Sequence, residues 1–147
     1  MPEYLYDVAL SFAGAERDYV RDVAHELKRT GHTIFFDEDE EVSLWGENLI
    51  ERLDEIYRKQ ARFVVVFISK SYAQSVWTRL ERRSALTRAL HERAAFVLPA
   101  RFDDTELPGL LSSVAYISLR NVGPIQLASR IAAKVANTSP PVLRMTR

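Results

Sequence analysis

The apolar positions of this chain switch repeatedly between a strand spacing and a helix spacing. Residues 6–12 (Tyr6-Asp7-Val8-Ala9-Leu10-Ser11-Phe12) read as a first strand, ended by Ala13-Gly14. From Glu16 to Arg29, Val20, Val23, Ala24 and Leu27 fall at i, i+3, i+4 and i+7, which predicts an amphipathic helix, and Gly31 lies just past its end as a helix stop. Residues 33–36 form a second strand. Residues 37–46 carry five acids and then Val42, Leu44, Trp45 and Gly46 with no clean period, so they read as a long loop. A helix with Leu49, Leu53, Ile56 and Tyr57 on its inner face follows. Phe63-Val64-Val65-Val66-Phe67-Ile68 is an unbroken apolar run, the pattern of a central strand buried on both faces.

The remainder continues the alternation. It predicts a helix over about 74–91, a fourth strand over 96–98, loop-like sequence over 99–109 with a short Leu110-Leu111 turn, a fifth strand over 115–118, and a last helix with Leu127, Ile131 and Val135 on one face. Strict alternation of five strands with about five helices implies an α/β protein. The economical topology is a flavodoxin-like three-layer fold, with a five-stranded parallel sheet in order 2-1-3-4-5 and helices on both faces. One domain over 1–137 accounts for the pattern. Residues 138–147, with Pro140-Pro141, read as an extended tail that is either a frayed terminus or a linker to a C-terminal sensor module.

Composition narrows the function. With 147 residues the chain is long enough for one self-sufficient core. Its 20 Lys and Arg balance 20 Asp and Glu, so no basic excess recommends nucleic acid as a partner. No cysteine is present, which removes thiolate zinc and redox sites and fits a cytoplasmic location. His25, His32 and His91 form no metal-binding spacing, so no metal is expected. Neither a secretory leader nor an apolar run of membrane-spanning length is apparent. The Arg-rich 79–93 segment is read as a solvated helix face.

In open parallel sheets, ligands bind at the carboxyl ends of the strands where the strand order reverses. Order 2-1-3 brings Ser11-Phe12-Ala13-Gly14, the segment beginning at Asp37, and Ser69-Lys70-Ser71-Tyr72 to that point. On the predicted 74–91 helix, Trp77 and Glu81 are four apart and share a face, with Ser84 close by; Leu80, Ala85, Leu86 and Leu90 supply the core stripe. A Trp-x-x-x-Glu pair alone is a weak signal, since an aromatic on a helix is usually core.

Taken together and in order, the 6–14 segment with Arg17, the strand end at Asp37, Leu44-Trp45-Gly46, the 67–72 segment and the 75–81 segment resemble the bacterial form of the Toll/interleukin-1 receptor (TIR) domain over roughly residues 4–137. The resemblance implies cleavage of NAD+ between nicotinamide and ribose, with NAD as substrate and no cofactor. It matches Glu81 to the essential glutamate and Trp77 to a pocket aromatic. It makes Leu44, Trp45 and Gly46 a loop that gates the pocket and contacts neighbouring subunits. Activation by self-association is implied, often through a fused or partner sensor in anti-phage defence.

One carboxylate is enough for such chemistry. Nicotinamide departs from a pyridinium cation as a neutral molecule, so the general acid of ordinary glycosidases is unnecessary. What remains is to hold the ribose and to stabilise an oxocarbenium-like charge. By position, Ser11, Phe12, Ala13, Gly14, Arg17, Asp37, Ser69 and Tyr72 are the remaining substrate-binding candidates. A response-regulator receiver is excluded, because the third strand ends Phe67-Ile68-Ser69 without a phosphorylatable Asp. A non-enzymatic TIR adaptor and a nucleoside deoxyribosyltransferase-like enzyme stay open as alternatives.

Overall fold

The computed structural model describes residues 4–77, 80–109 and 114–137, and within 80–94 the side chains of 83, 84, 86–88, 91 and 92. Strand β1 (Tyr6–Ser11) leads through a 3-10 turn (Gly14–Glu16) into α1 (Arg17–Arg29) and β2 (Ile34–Phe35). A second 3-10 turn (Asp37–Glu40) runs into α2 (Glu41–Leu44), and α3 (Leu49–Glu55) widens into a π-helical turn (Ile56–Gln60) before β3 (Ala61–Ile68). Then come α4 (Lys70–Ser75), α5 (Leu80–Arg93), β4 (Val97–Arg101), β5 (Ile117–Ser118) and α6 (Pro124–Asn137). The five strands pair in parallel in the order β2-β1-β3-β4-β5, as the pattern implied. Among the described residues no helix is long and apolar enough to cross a membrane.

Alternation along β3 sorts its side chains into two cores. Phe63, Val65 and Phe67 join Val8 and Leu10 under α1 and α6, whose Val20, Val23, Leu27, Leu127 and Ile131 are buried there. Val64, Val66 and Ile68 face the other way, toward Leu53, Ile56, Tyr57, Tyr72, Val76, Trp77 and Leu86. Both faces of the central strand are thereby dry, which is why its sequence is apolar without interruption.

Five elements differ from the sequence expectation. The expected 37–46 loop is a 3-10 turn followed by the short helix α2. Its acids are pinned to α1: Lys28 Nζ lies 2.6 Å from Asp39, while Arg17 and Arg21 hold Glu38 at 3.2 and 3.1 Å. Tyr6 adds a hydrogen bond from its hydroxyl to Glu40 at 2.9 Å. Charge pairing leaves no hydrophobic period, so the segment looks structureless in sequence.

The expected 74–91 helix is two helices. Ser69 caps α4, its Oγ accepting from the Tyr72 amide at 3.0 Å, and the chain widens where the Trp77 amide reaches the Tyr72 carbonyl at 3.0 Å, an i to i+5 closure that ends the helix. The fourth strand continues through Pro99 to Arg101. Proline is tolerated because β5 pairs only with Ala100 and Arg101, leaving the first part of β4 an edge. β2 and β5 are also shorter than the expected 33–36 and 115–118, each two residues long. At the entry to β2, Thr33 is held by its carbonyl and Oγ1, both accepting from the Asp7 amide at 2.8 Å. The Leu110-Leu111 turn and the 138–147 tail lie outside the described residues.

Asn48 starts α3 by accepting from the amides of Ile50 and Glu51, both at 3.1 Å. Asn48→Ala should therefore lower unfolding free energy by about 1 kcal/mol, and Asn48→Asp should retain most of it, as read by urea denaturation. Equal midpoints for wild type and Asn48→Ala would show that the cap contributes nothing.

Candidate functional site

A cleft of about 810 Å³ opens at the carboxyl end of the sheet, where β1 and β2 part from β3. That is the position at which an open parallel sheet receives a ligand, and the volume lies within the usual range for small-molecule sites. Leu10, Ser11 and Phe12 from the end of β1, with Phe35 and Asp37 around β2, contribute one part of the lining. The acidic turn and α2 contribute Glu38, Glu41, Val42 and Leu44, with Trp45 just beyond; α3 and its π turn contribute Leu49, Leu53 and Tyr57. Arg17, Val76 and Leu86 complete it.

Ser11 is the polar group of the inner lining. It is 5% exposed, and its Oγ lies 2.8 Å from the hydroxyl of the fully buried Tyr72. Behind it, Ser69 accepts from the Tyr72 amide and donates from Oγ to Glu16 at 2.6 Å. A strand-end hydroxyl is thus fixed from below by a chain of buried partners, the preorganisation that a binding group requires.

Arg17 is the second polar feature. Nη1 donates to Asp37 Oδ1 at 3.0 Å and Glu38 Oε2 at 3.2 Å, Nη2 reaches Asp37 Oδ2 at 3.4 Å, and the guanidinium carbon stands 5.0 Å from the Phe12 ring centroid. Phe12 in turn stacks on Phe36 at 5.5 Å. The bond from Arg17 to Asp37 raises the guanidinium pKa further, against the opposing effect of burial. Bonds from Arg21 and then Arg17 hold the Glu38 carboxyl below its ordinary value, so it is ionised at neutral pH.

The structure brings Ser11, Phe12, Arg17, Asp37, Leu44 and Trp45 to the cleft. Ala13 is buried behind it, and Gly14 opens the 3-10 turn. Ser69 and Tyr72 act only from beneath Ser11. Gly46 leaves α2 with φ of 84°, a left-handed turn that suits glycine. Trp77 is not brought to the cleft: it is 3% exposed, it packs against Tyr72, and its indole N–H donates to the Pro108 carbonyl at 2.9 Å. It also sits in the turn before α5, so it does not share a continuous helix face with Glu81. Glu81 is in the first turn of α5, and its side chain lies outside the described residues, as do those of Leu80, Ala85 and Leu90; Leu86 is buried as expected. Glu38, Glu41, Val42, Tyr57, Val76 and Leu86 were not singled out as site residues from sequence, and only the acid-then-apolar character of 37–45 pointed toward the first three.

A family model described as TIR domain matches residues 8–131. The 3' cyclic ADP-D-ribose synthase AaTIR of Aquimarina amphilecti is 51% identical over 132 residues, which are 90% of this chain and 40% of that protein. The NAD(+) hydrolase TirS of Staphylococcus aureus is 35% identical over 95 residues, 64% of this chain and 33% of TirS. This chain therefore spans well under half the length of either relative. Among solved structures, a metazoan TIR-STING receptor from C. gigas in complex with 2',3'-cGAMP superposes with a TM-score of 0.71 at 19% identity, covering 90% of this chain and 40% of that one. The TIR domain of the Toll-related receptor TRR-2 from Hydra magnipapillata gives 0.65 at 19%, covering 86% and 98%. At these identities the solved structures speak to the fold.

Core placement of Trp77 has a measurable consequence. Trp77→Ala should cost about 3–5 kcal/mol of stability, and Trp77→Phe less, because the ring volume is largely kept while the bond to Pro108 is lost. A Trp77→Ala variant with an unchanged denaturation midpoint would remove Trp77 from the core.

Proposed function

This chain belongs to the TIR-domain family, and from that premise we propose that it cleaves NAD+ between nicotinamide and ribose, as a hydrolase, a cyclase or both. One observation carries the reading beyond family membership: Val76 and Leu86, which flank Glu81 in the chain, both line the cleft at the strand ends. That residues on both sides of Glu81 reach the cleft supports Glu81 as the one carboxylate the chemistry requires.

In this reading the C–N bond breaks with its electron pair passing to the pyridinium nitrogen, so nicotinamide leaves neutral and no proton need be delivered. Positive charge develops on the ribose and Glu81 stabilises it. Water capture gives ADP-ribose and a proton, whereas capture by a hydroxyl of the same molecule closes a ring and releases a proton. The Ser11 hydroxyl, braced by Tyr72, is available to a ribose or phosphate oxygen, and Arg17 to the diphosphate. Phe12 and Trp45 supply the aromatic surface expected of Trp77.

The proposal extends to control. An enzyme that consumes NAD+ in the cytoplasm must be held off until needed, and anti-phage defence, with a fused or separate sensor gathering the domains, is the setting we favour. Val42 is 79% exposed and Trp45 86%, at the rim of the cleft. Apolar side chains so placed suit packing against a second copy, and a head-to-tail contact of that kind propagates instead of closing.

Glu81→Gln keeps the size of the side chain and removes its charge, so nicotinamide release should fall by at least ~100-fold with the circular dichroism unchanged. A rate near wild type in the folded variant overturns the assignment. Specific activity of wild type should rise with protein concentration, and Trp45→Ala should flatten that rise while leaving the monomer folded. Constant specific activity across a wide dilution series excludes control by association.

A further inference from the structure

The charged side chains among the described residues lining the cleft are Arg17, Asp37, Glu38 and Glu41. Three carboxylates thus face one guanidinium, and that guanidinium is already engaged by two of them. Arg21, just outside the lining, is likewise bound to Glu38, at 3.1 Å. The described part of the cleft is therefore net negative even with Arg17 counted.

A diphosphate entering this cleft is met by Arg17, which gives up its bond to Glu38 for a phosphate oxygen. A further phosphate on the ribose adds about 1.5 to 2 negative charges at neutral pH. Among the described lining residues it finds no second cation, and three carboxylates repel it. Asp37 sharpens this. In Rossmann folds, which differ from this one in strand order and carry a glycine-rich turn but also bind at the strand ends, an acid accepts from the adenosine 2'-hydroxyl, while an arginine nearby accommodates a 2'-phosphate. Here the acid stands two residues past the end of β2, and the adjacent arginine is neutralised by it.

We propose that this cleft selects NAD+ against NADP+, with Asp37, Glu38 and Glu41 supplying the discrimination. The inference rests on the NAD+ reading above and adds to it which dinucleotide is excluded and by which groups. Glu38 has the largest leverage, since its removal frees one bond of Arg17 and two of Arg21 toward an added phosphate.

The experiment compares kcat/KM for NAD+ and NADP+ in wild type, Glu38→Gln and Glu41→Gln at two ionic strengths. Wild type should prefer NAD+ by at least ~10-fold, the preference should shrink with added salt, and either substitution should narrow it several-fold, chiefly through the KM for NADP+. A second arm needs no turnover: ADP-ribose and 2'-phospho-ADP-ribose are titrated against tryptophan fluorescence, Trp45 being in the lining. Equal kcat/KM for the two dinucleotides overturns the charge selection and leaves NAD+ cleavage standing. A ratio unchanged in both folded variants overturns the role of these carboxylates. Preferential binding of ADP-ribose without cleavage of either dinucleotide supports the selection and overturns the proposed reaction, and binding of neither overturns both.

Discussion

Residues 63–68 have no water on either side, and the rest of the molecule is arranged around that constraint. A strand dry on both faces needs a helical layer above and below, and α1 with α6 and α3 with α5 are those layers. The chain visits β2 on one side of β1 before crossing to β3 on the other. The connections on the two sides consequently leave the strand ends in opposite directions, and the gap between them is the cleft. The site is thus a by-product of how the central strand is covered, and its position follows from strand order before any side chain is considered.

The groups facing that gap belong to segments with two duties. Asp37 and Glu38 line the cleft and also fasten the acidic turn to α1 through Arg17 and Arg21. These pairs are half-exposed, so their worth lies more in geometry than in stability. They fix where α2 leaves the sheet, and with it where Val42 and Trp45 stand. Any ligand that recruits Arg17 must compete with that fastening, so occupation of the cleft and the placement of α2 are energetically linked.

Legibility from sequence followed the kind of force at work. Where burial decides, as in α1, β3 and α6, the spacing of apolar residues revealed the element and its face: Val20, Val23 and Leu27, or Leu127 and Ile131, are buried as their periodicity required. Where charge pairing decides, as over 37–44, there is no period to read and a helix passed for a loop. The Trp77 region shows a third case. A spacing of four is evidence for a shared face only along an unbroken helix, and the break after Ser75 depends on a backbone closure to Tyr72 that no residue type announces. Ser11, Phe12, Arg17 and Asp37 stand at the cleft because topology, not local pattern, carries the strand ends and the turns that follow them to the switch point.

Trp77 and Trp45 make the same point energetically. Both are large aromatics near the strand ends, yet one is 3% exposed and hydrogen-bonded, the other 86% exposed just past a four-residue helix. An indole left in water forgoes the transfer free energy that its burial elsewhere contributes, roughly 25 cal/mol for each Å² of apolar surface. The packing of α2 rests on Leu44, which is partly buried against the core, and makes no use of Trp45. A side chain of that size, held at a cleft rim by a segment fastened with charges, gains its stabilisation only from something that arrives, whether a ligand ring in the cleft or an apolar surface against it. Those two arrivals share one side chain, and filling the cleft and covering its rim are therefore coupled events.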